Sequence, residues 1–348
     1  MKQINWGIIG LGSAASQFAK GFTSVDNAKL LGIASKTDSK LKKFQEEFEI
    51  DNSYCFNGYE NLIENTKIDT VYIALPNFLH YEWIVKCLKK GKNVLVEKPA
   101  TINSLEIEDI KKNYSNKNFF FNEAFMYLHH PQIKKVLELI ESGKIGKLVS
   151  MKSVIGKNIL TKKNFLGFEK NKKIDSENRL YNKKMGGGVI LDLGCYPVSF
   201  STLIASLESK INFDNVNIIN SRKKIGSMGV DVDAYIELEF ENSFKSKVAS
   251  SFTKNLGNET TIFGSEGEIV IKDTWMAQNS QIIVKKIDKE DLIINIELSE
   301  SIYSNEIRVL SQCILDHKIN ADFPSLTIDD TINNMKIIDK WMGESHEK

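Results

Sequence analysis

The stretch Ile4-Asn5-Trp6-Gly7-Ile8-Ile9-Gly10-Leu11-Gly12-Ser13-Ala14-Ala15 decides how the chain is read. An apolar run of strand length ends in Gly10-x-Gly12-x-x-Ala15, and a helix-like segment follows from Ser13 to Gly21. The first glycine of such a turn bends the chain tightly. The second lets backbone approach a pyrophosphate, and a small third residue lets the helix pack close to its strand. The helix N-terminus then presents free N–H groups and a positive dipole end to the phosphates. Gly10, Leu11, Gly12, Ser13 and Ala14 are therefore the expected phosphate-binding residues.

Outward from this turn, strand-like and helix-like runs alternate. Lys29–Ala34, Thr70–Leu75 and Val94–Val96 read as strands, and a last apolar run, Asn118 to Phe121, follows them. Ser39–Phe48, Tyr59–Glu64, His80–Lys90 and Ser104–Lys112 read as helices. This alternation predicts an α/β fold, a parallel sheet with helices on both faces. Beyond Asn122 the pattern changes. One helix opens at Pro131, with Ile133, Val136, Leu137 and Ile140 on one stripe. Then come β-type runs at Leu148–Ile155, Val216–Ile219, Ala234–Phe240, Ser246–Ser251, Thr260–Phe263, Glu268–Ile271 and Gln281–Val284. Two helices, Ser304–Asp316 and Ile328–Met342, finish the chain. Two domains are expected: a dinucleotide-binding domain over 1–122 and an α+β domain with a mostly antiparallel sheet over 123–348. Residues 157–184, rich in Lys and Asn, read as a solvated loop or a lid.

Composition bounds the function. The chain has 348 residues, 42% hydrophobic and 26% charged, with a formal net charge of +1. That balance argues against a nucleic-acid or membrane-surface partner. No apolar stretch is read as approaching the roughly 20 residues of a spanning helix, and the N-terminus runs straight into a strand without a leader pattern. The four cysteines, Cys55, Cys87, Cys195 and Cys313, show no metal-ligand spacing. They fit a reducing compartment, so a cytoplasmic location is expected. Cys195 reads as a small apolar filler.

The end of the second strand, Ala34-Ser35-Lys36-Thr37-Asp38, bears on the choice of nicotinamide cofactor. An acidic residue there would hold a ribose 2′-hydroxyl, whereas a cation would pair with a 2′-phosphate. Ser35 and Lys36 favour NADP. NAD stays open if Asp38 grips the ribose. Two further segments carry chemistry: Glu97-Lys98-Pro99, after the apolar run Asn93–Val96, and Gly186-Gly187-Gly188-Val189-Ile190-Leu191-Asp192-Leu193-Gly194-Cys195-Tyr196. Lys98, Asp192 and Tyr196 supply a cation, a carboxylate and a phenol that would move a proton while a hydride moves elsewhere. The bland alternatives are a Lys98–carboxylate pair, a capping Asp192 and a core Tyr196.

At these residues the chain resembles the glucose-fructose oxidoreductase, inositol dehydrogenase and MocA-like (Gfo/Idh/MocA) family. The similarity adds Leu75-Pro76-Asn77-x-x-His80, Asn122-Glu123-Ala124-Phe125-Met126-Tyr127 and Ser142-Gly143-Lys144-Ile145-Gly146, and spans nearly the whole chain. It is similar above all to the branch of dimeric dihydrodiol dehydrogenases and NADP-dependent xylose dehydrogenases. The resemblance implies a Rossmann domain followed by an open antiparallel sheet, a site in the cleft between the domains, and a homodimer or homotetramer formed through that sheet. It implies Tyr196 as acid/base, Lys98 beside the nicotinamide and the reacting hydroxyl, and Asp192 as substrate-orienting. If Gly194 begins a helix, Tyr196 sits in its first turn. The resemblance also implies cofactor contacts from Leu75, Pro76, Asn77, His80 and Glu97, and a cis Lys98-Pro99 bond.

One position departs from the family pattern. Leu128 stands where relatives often carry Arg, so Tyr127 remains a substrate candidate and Arg179 a substitute cation. The function expected is NADP(H)-dependent hydride transfer at a hydroxyl or carbonyl of a sugar-like molecule: an aldose, cyclitol, nucleotide sugar or dihydrodiol. The alternatives are a non-catalytic NADP-binding regulator and an NAD-dependent redox glycosidase. No metal site is expected.

Overall fold

The computed structural model describes residues 2–114, 119–163, 169–171, 178–276 and 278–343. Its first unit comprises Met1–Thr101, Leu105–His130 and Leu298–Ile332. Here β1 (Ile4–Ile9), α1 (Ser13–Lys20), β2 (Ala28–Ser35), α2 (Asp38–Phe48), β3 (Cys55–Asn57), α3 (Glu60–Glu64), β4 (Thr70–Ile73), α4 (His80–Lys89), β5 (Asn93–Glu97), α5 (Ser104–Tyr114) and β6 (Phe121–Ala124) alternate as expected. The sheet order is β3-β2-β1-β4-β5-β6, every pair parallel. Ile8 pairs with Ile33 on one side and Tyr72 on the other. The chain therefore switches direction of winding at β1, and ligands of open parallel sheets bind outside the carboxyl ends at such a point. Gly10 stands there. β3 has only three residues, too few to show a period, and was not foreseen.

The second unit comprises Ile102–Ser104, Pro131–Glu297 and Asn333–Lys348. After α6 (Pro131–Glu141) and β7 (Leu148–Gly156) come two short paired strands, β8 (Thr161–Lys163) and β9 (Glu169–Asn171), then α7 (Cys195–Ala205). The expected lid over 157–184 lies in part outside the described residues. There follow β10 (Asn217–Ile225), β11 (Asp231–Glu239), β12 (Lys245–Ser251), β13 (Thr260–Gly264), β14 (Gly267–Ile271), β15 (Asn279–Lys286) and β16 (Leu292–Glu297). They join β7 in a sheet ordered β10-β11-β12-β7-β13-β14-β15-β16, antiparallel except between β12 and β7. Along β11, Val232, Ala234, Ile236 and Leu238 are buried and the intervening residues partly exposed, the period-2 pattern of a sheet covered on one face.

The last helices are α8 (Ile302–Leu315) and α9 (Ile328–Gly343). A single cut at residue 122 was expected, but the units interleave: α8 packs in the first. Its Ile307, Leu310 and Ile314 share one core with Trp6, Ile8, Phe18, Tyr72 and Leu95. Phe18 stacks on Tyr72 with ring centroids 3.9 Å apart, and the Trp6 indole donates to Ser311 Oγ at 2.9 Å. A second amendment concerns length. The segment Lys183–Ala205 is long and apolar enough to cross a membrane, contrary to expectation, but 89% of its most apolar window is buried inside the fold. It is the burial expected of a core helix.

Candidate active site

The first unit carries the glycine turn and Lys98. Gly10 has φ +88, and a Cβ there would collide with the Ala74 carbonyl, so only glycine makes this turn without strain. Gly12 differs: a Cβ on it would meet nothing within 4 Å. The space before α1 is open, and no acidic residue stands in the first turn of α1. Ala15 at the third position is fully buried against the sheet. The residues present fit a pyrophosphate.

At the end of β2, Ser35 is buried and its Oγ accepts from the Thr37 N–H at 3.0 Å. Its hydroxyl proton remains available to a ligand. Lys36 Nζ lies 5.3 Å from the Tyr59 ring centroid. Asp38 starts α2 and accepts from Asn57 Nδ2 at 2.6 Å. Asp38 and Lys36 thus each touch one neighbour, a β3 amide and the Tyr59 ring.

Lys98 follows β5 directly, and the Lys98-Pro99 bond is cis. Glu97 accepts a hydrogen bond from the Tyr72 hydroxyl. Burial, then the charge of Glu97, raises Tyr72, Tyr303 and Glu306 well above their ordinary values. Neither carboxyl oxygen of Glu306 has a hydrogen-bond partner among the described residues. Pro76 and Asn77 follow β4 and precede α4, and Asn77 is buried. His80 is fully buried, its ring nitrogens 2.8 Å from the carbonyl oxygens of Pro99 and Leu75. Its nitrogens hold the turns after β4 and β5 to each other.

Glu123 of β6 lies within the Asn122–Tyr127 motif, which by itself assigns it no role. It is buried, accepts from the Ala100 N–H at 2.8 Å and from Thr331 Oγ1 at 2.9 Å, and burial pushes it up to about 7. The signal was available: a carboxylate inside an apolar strand is rarely buried without partners. Tyr127 and Leu128 lie buried in the first unit, and the Tyr127 ring meets Phe125 edge-on at 5.8 Å.

The second unit carries Asp192 and Tyr196. Gly194 does not begin the helix. The helical run starts at Val189, passes through a π-turn over Ile190–Gly194 and continues as α7. Tyr196 therefore lies well inside the run, not in its first turn. The physical reason is the cap. Asp231 Oδ2 accepts from the Ile190 N–H at 2.7 Å, and Gly188, with φ +116, lets the chain pass where any Cβ would strike that carboxylate. Burial raises Asp231 above the usual carboxylate range.

π-turns interrupt α-helices most often at functional sites, and this one carries Asp192. Asp192 is mostly buried and pairs with Arg179, Nη1 to Oδ1 at 3.1 Å. The structure thus pairs Asp192 with a cation from the loop that precedes Gly186. Tyr196 is buried, its ring 5.8 Å from that of Trp275. Cys195 is buried as well, its thiol 3.9 Å from the Asp192 carbonyl. No group of three His, Cys, Asp or Glu residues suited to a metal ion is present among the described residues.

Comparisons with known proteins bear on these halves. Residues 4–122 match the family model described as oxidoreductase family, NAD-binding Rossmann fold, and residues 133–270 match the GFO/IDH/MocA C-terminal domain. A trans-1,2-dihydrobenzene-1,2-diol dehydrogenase of Xenopus laevis is 27% identical over 289 residues, 82% of this chain and 81% of the relative. The dTDP-3,4-didehydro-2,6-dideoxy-alpha-D-glucose 3-reductase of Saccharopolyspora spinosa is 26% identical over 299 residues, 85% and 83% of the two chains. Among solved structures, a 3-ketoreductase from Actinomadura kijaniata, in complex with NADP and TDP-benzene, superposes with a TM-score of 0.82 at 22% identity, covering 99% and 98%. An aldose-aldose oxidoreductase from Caulobacter crescentus, complexed with glycerol, does so with 0.83 at 18% identity, covering 98% and 97%. The chain, with its glycine turn after β1 and its Lys98, Asp192 and Tyr196, belongs to the Gfo/Idh/MocA family of oxidoreductases.

Proposed function

We propose that the protein is an NADP(H)-dependent oxidoreductase that transfers hydride at a hydroxyl or carbonyl of a sugar-like molecule, with Tyr196 as its acid/base. The observation that carries this reading is the π-turn in the second unit. It holds a partly desolvated carboxylate, Asp192, and the buried phenol of Tyr196 comes two residues after it.

The bound nicotinamide supplies the hydride acceptor and donor, and the chain's own residues handle the proton. In oxidation Tyr196 takes the hydroxyl proton. In reduction it returns that proton to the forming alkoxide, and the Lys98 ammonium stabilises the negative charge. Asp192 orients a substrate hydroxyl. Arg179, already bound to Asp192 through one guanidinium nitrogen, keeps donors for the substrate. Ser35 and Lys36 support NADP over NAD, because Lys36 offers a charge and Ser35 a hydroxyl to a 2′-phosphate. The relatives named above, which act on a dihydrodiol and a nucleotide-linked sugar, support a polyhydroxylated substrate.

Titration with NADPH and NADH, followed by energy transfer from tryptophan, tests the cofactor reading. NADPH is expected to bind at least tenfold more tightly, and Lys36→Ala to abolish the difference. Tighter binding of NADH would contradict the assignment to Ser35 and Lys36. Tight NADPH binding with no turnover of any aldose, cyclitol or nucleotide sugar would favour a regulator.

A further inference from the structure

Two residues in the first unit grip the two ends of one peptide group. The Pro99 carbonyl oxygen lies 2.8 Å from His80 Nδ1, and the Ala100 N–H, the other end of the same amide, donates to Glu123 Oε1 at 2.8 Å. The second ring nitrogen of His80, Nε2, stands 2.8 Å from the Leu75 carbonyl oxygen. Carbonyl oxygens only accept. A neutral imidazole has one N–H and one lone pair, so either tautomer would set a nitrogen lone pair against a carbonyl oxygen at hydrogen-bonding distance. Only the imidazolium donates to both. His80 is 0% exposed and Glu123 3%, and a buried cation requires a counter-charge. Glu123 has the form for it, with the Ala100 N–H on one oxygen and the Thr331 hydroxyl, at 2.9 Å, on the other.

We propose that His80 is a buried imidazolium paired with the Glu123 carboxylate through the Pro99–Ala100 peptide group, and that the two are positioning residues for Lys98. The positioning role rests on the reading of Lys98 as an active-site lysine. The charge pair does not. An amide held by a cation at its oxygen and an anion at its N–H is polarised from both sides, which strengthens both hydrogen bonds. The turn carrying Lys98 is thereby fixed to α4, β6 and Thr331. Burial raises the Glu123 carboxyl most, the Ala100 and Thr331 hydrogen bonds and the Lys98 charge lower it, and Glu97 raises it.

Ring-nitrogen spectra of the full-length protein labelled with nitrogen-15 histidine test the pair directly. They belong at about pH 8, where an ordinary histidine, with a pKa of about 6.5, is neutral. The five histidines are sorted by loss of one signal set in His80→Gln. Expected is a His80 protonated on both nitrogens, an ordinary neutral signature for that ring in Glu123→Gln, and retention of the imidazolium in Thr331→Val, which keeps the carboxylate. A neutral His80 in the native protein, or an imidazolium unchanged in Glu123→Gln, would overturn the pair. With the pair established, Glu123→Gln is expected to lower kcat about tenfold while cofactor affinity stays within about twofold; an unchanged kcat would overturn the positioning role. The spectra need no turnover. A native protein that oxidises no sugar would instead count against the proposed function, and the two failures are distinguishable.

Discussion

Glu306 illustrates how much one side chain costs where it stands. It is fully buried on α8, near the charge of Glu97, with neither oxygen hydrogen-bonded among the described residues. Its carboxyl is raised well above the usual range by burial first and Glu97 second. A raised carboxyl favours folding below the unfolded-state value, and that contribution is lost as pH rises toward the folded value. Across this window the native protein therefore loses up to about 1.4 kcal/mol per pH unit relative to a variant that does not titrate. Glu306→Gln should be more stable than the native chain, and the gap should widen between about pH 5 and about pH 8. Urea unfolding at both values checks this. A gap that stays constant would mean that Glu306 remains ionised in the folded protein.

The elements repeat the lesson with backbone in place of charge. Gly10 and Gly12 belong to one motif but meet different surroundings. Gly10→Ala forces a strained φ and a collision with the Ala74 carbonyl, so it should lower stability by roughly 1–3 kcal/mol and weaken cofactor binding with it. Gly12→Ala touches nothing in the protein. It should leave the melting temperature within about a degree or two and yet weaken NADPH binding at least tenfold, because the methyl enters the space reserved for a pyrophosphate. Paired thermal and binding measurements separate the two. Equal loss of stability in both variants would show that the turn is structural only. The motif was legible because strand, turn and helix all point to one geometry. β1, β2, β4 and β5 were legible for the same reason. β16 was missed because as an edge strand it leaves Leu292 and Ile293 exposed, and β10 was read short because its second half, Ser221-Arg222-Lys223-Lys224, is polar. The start of the helical run before Tyr196 was not legible. Its cap, Asp231, comes from a strand about forty residues later in the chain, and no local pattern shows that.

For the molecule as a whole, the interleaving of its units matters most. α8 enters the first unit after the chain has left it at His130 and returned at Leu298, and it packs on Trp6, Phe18 and Tyr72. Sequence periodicity showed that α8 has an apolar face, and the position of its partner face was beyond reach because either sheet offers one. A fragment ending at residue 130 keeps every strand of the parallel sheet but leaves that core open to water. Each large side chain uncovered costs about 1.5–3 kcal/mol, against a total stability of roughly 5–15 kcal/mol for a domain. The fragment is expected to be unfolded or aggregated by circular dichroism and gel filtration, whereas a version with 298–332 restored through a linker should fold. A cooperatively folded 1–130 fragment would contradict this view of the core.

The central claim is that Tyr196 moves the proton while hydride passes to NADP. Incubation with an aldose deuterated at its reacting carbon, in the presence of NADP⁺, tests it most directly, with mass spectrometry of the reduced cofactor as the readout. Direct transfer of deuterium to the nicotinamide is expected of the native protein. In Tyr196→Phe a rate at least about a hundredfold lower is expected, with NADPH affinity retained. Deuterium transfer at the native rate in Tyr196→Phe would remove Tyr196 from the mechanism and contradict the account.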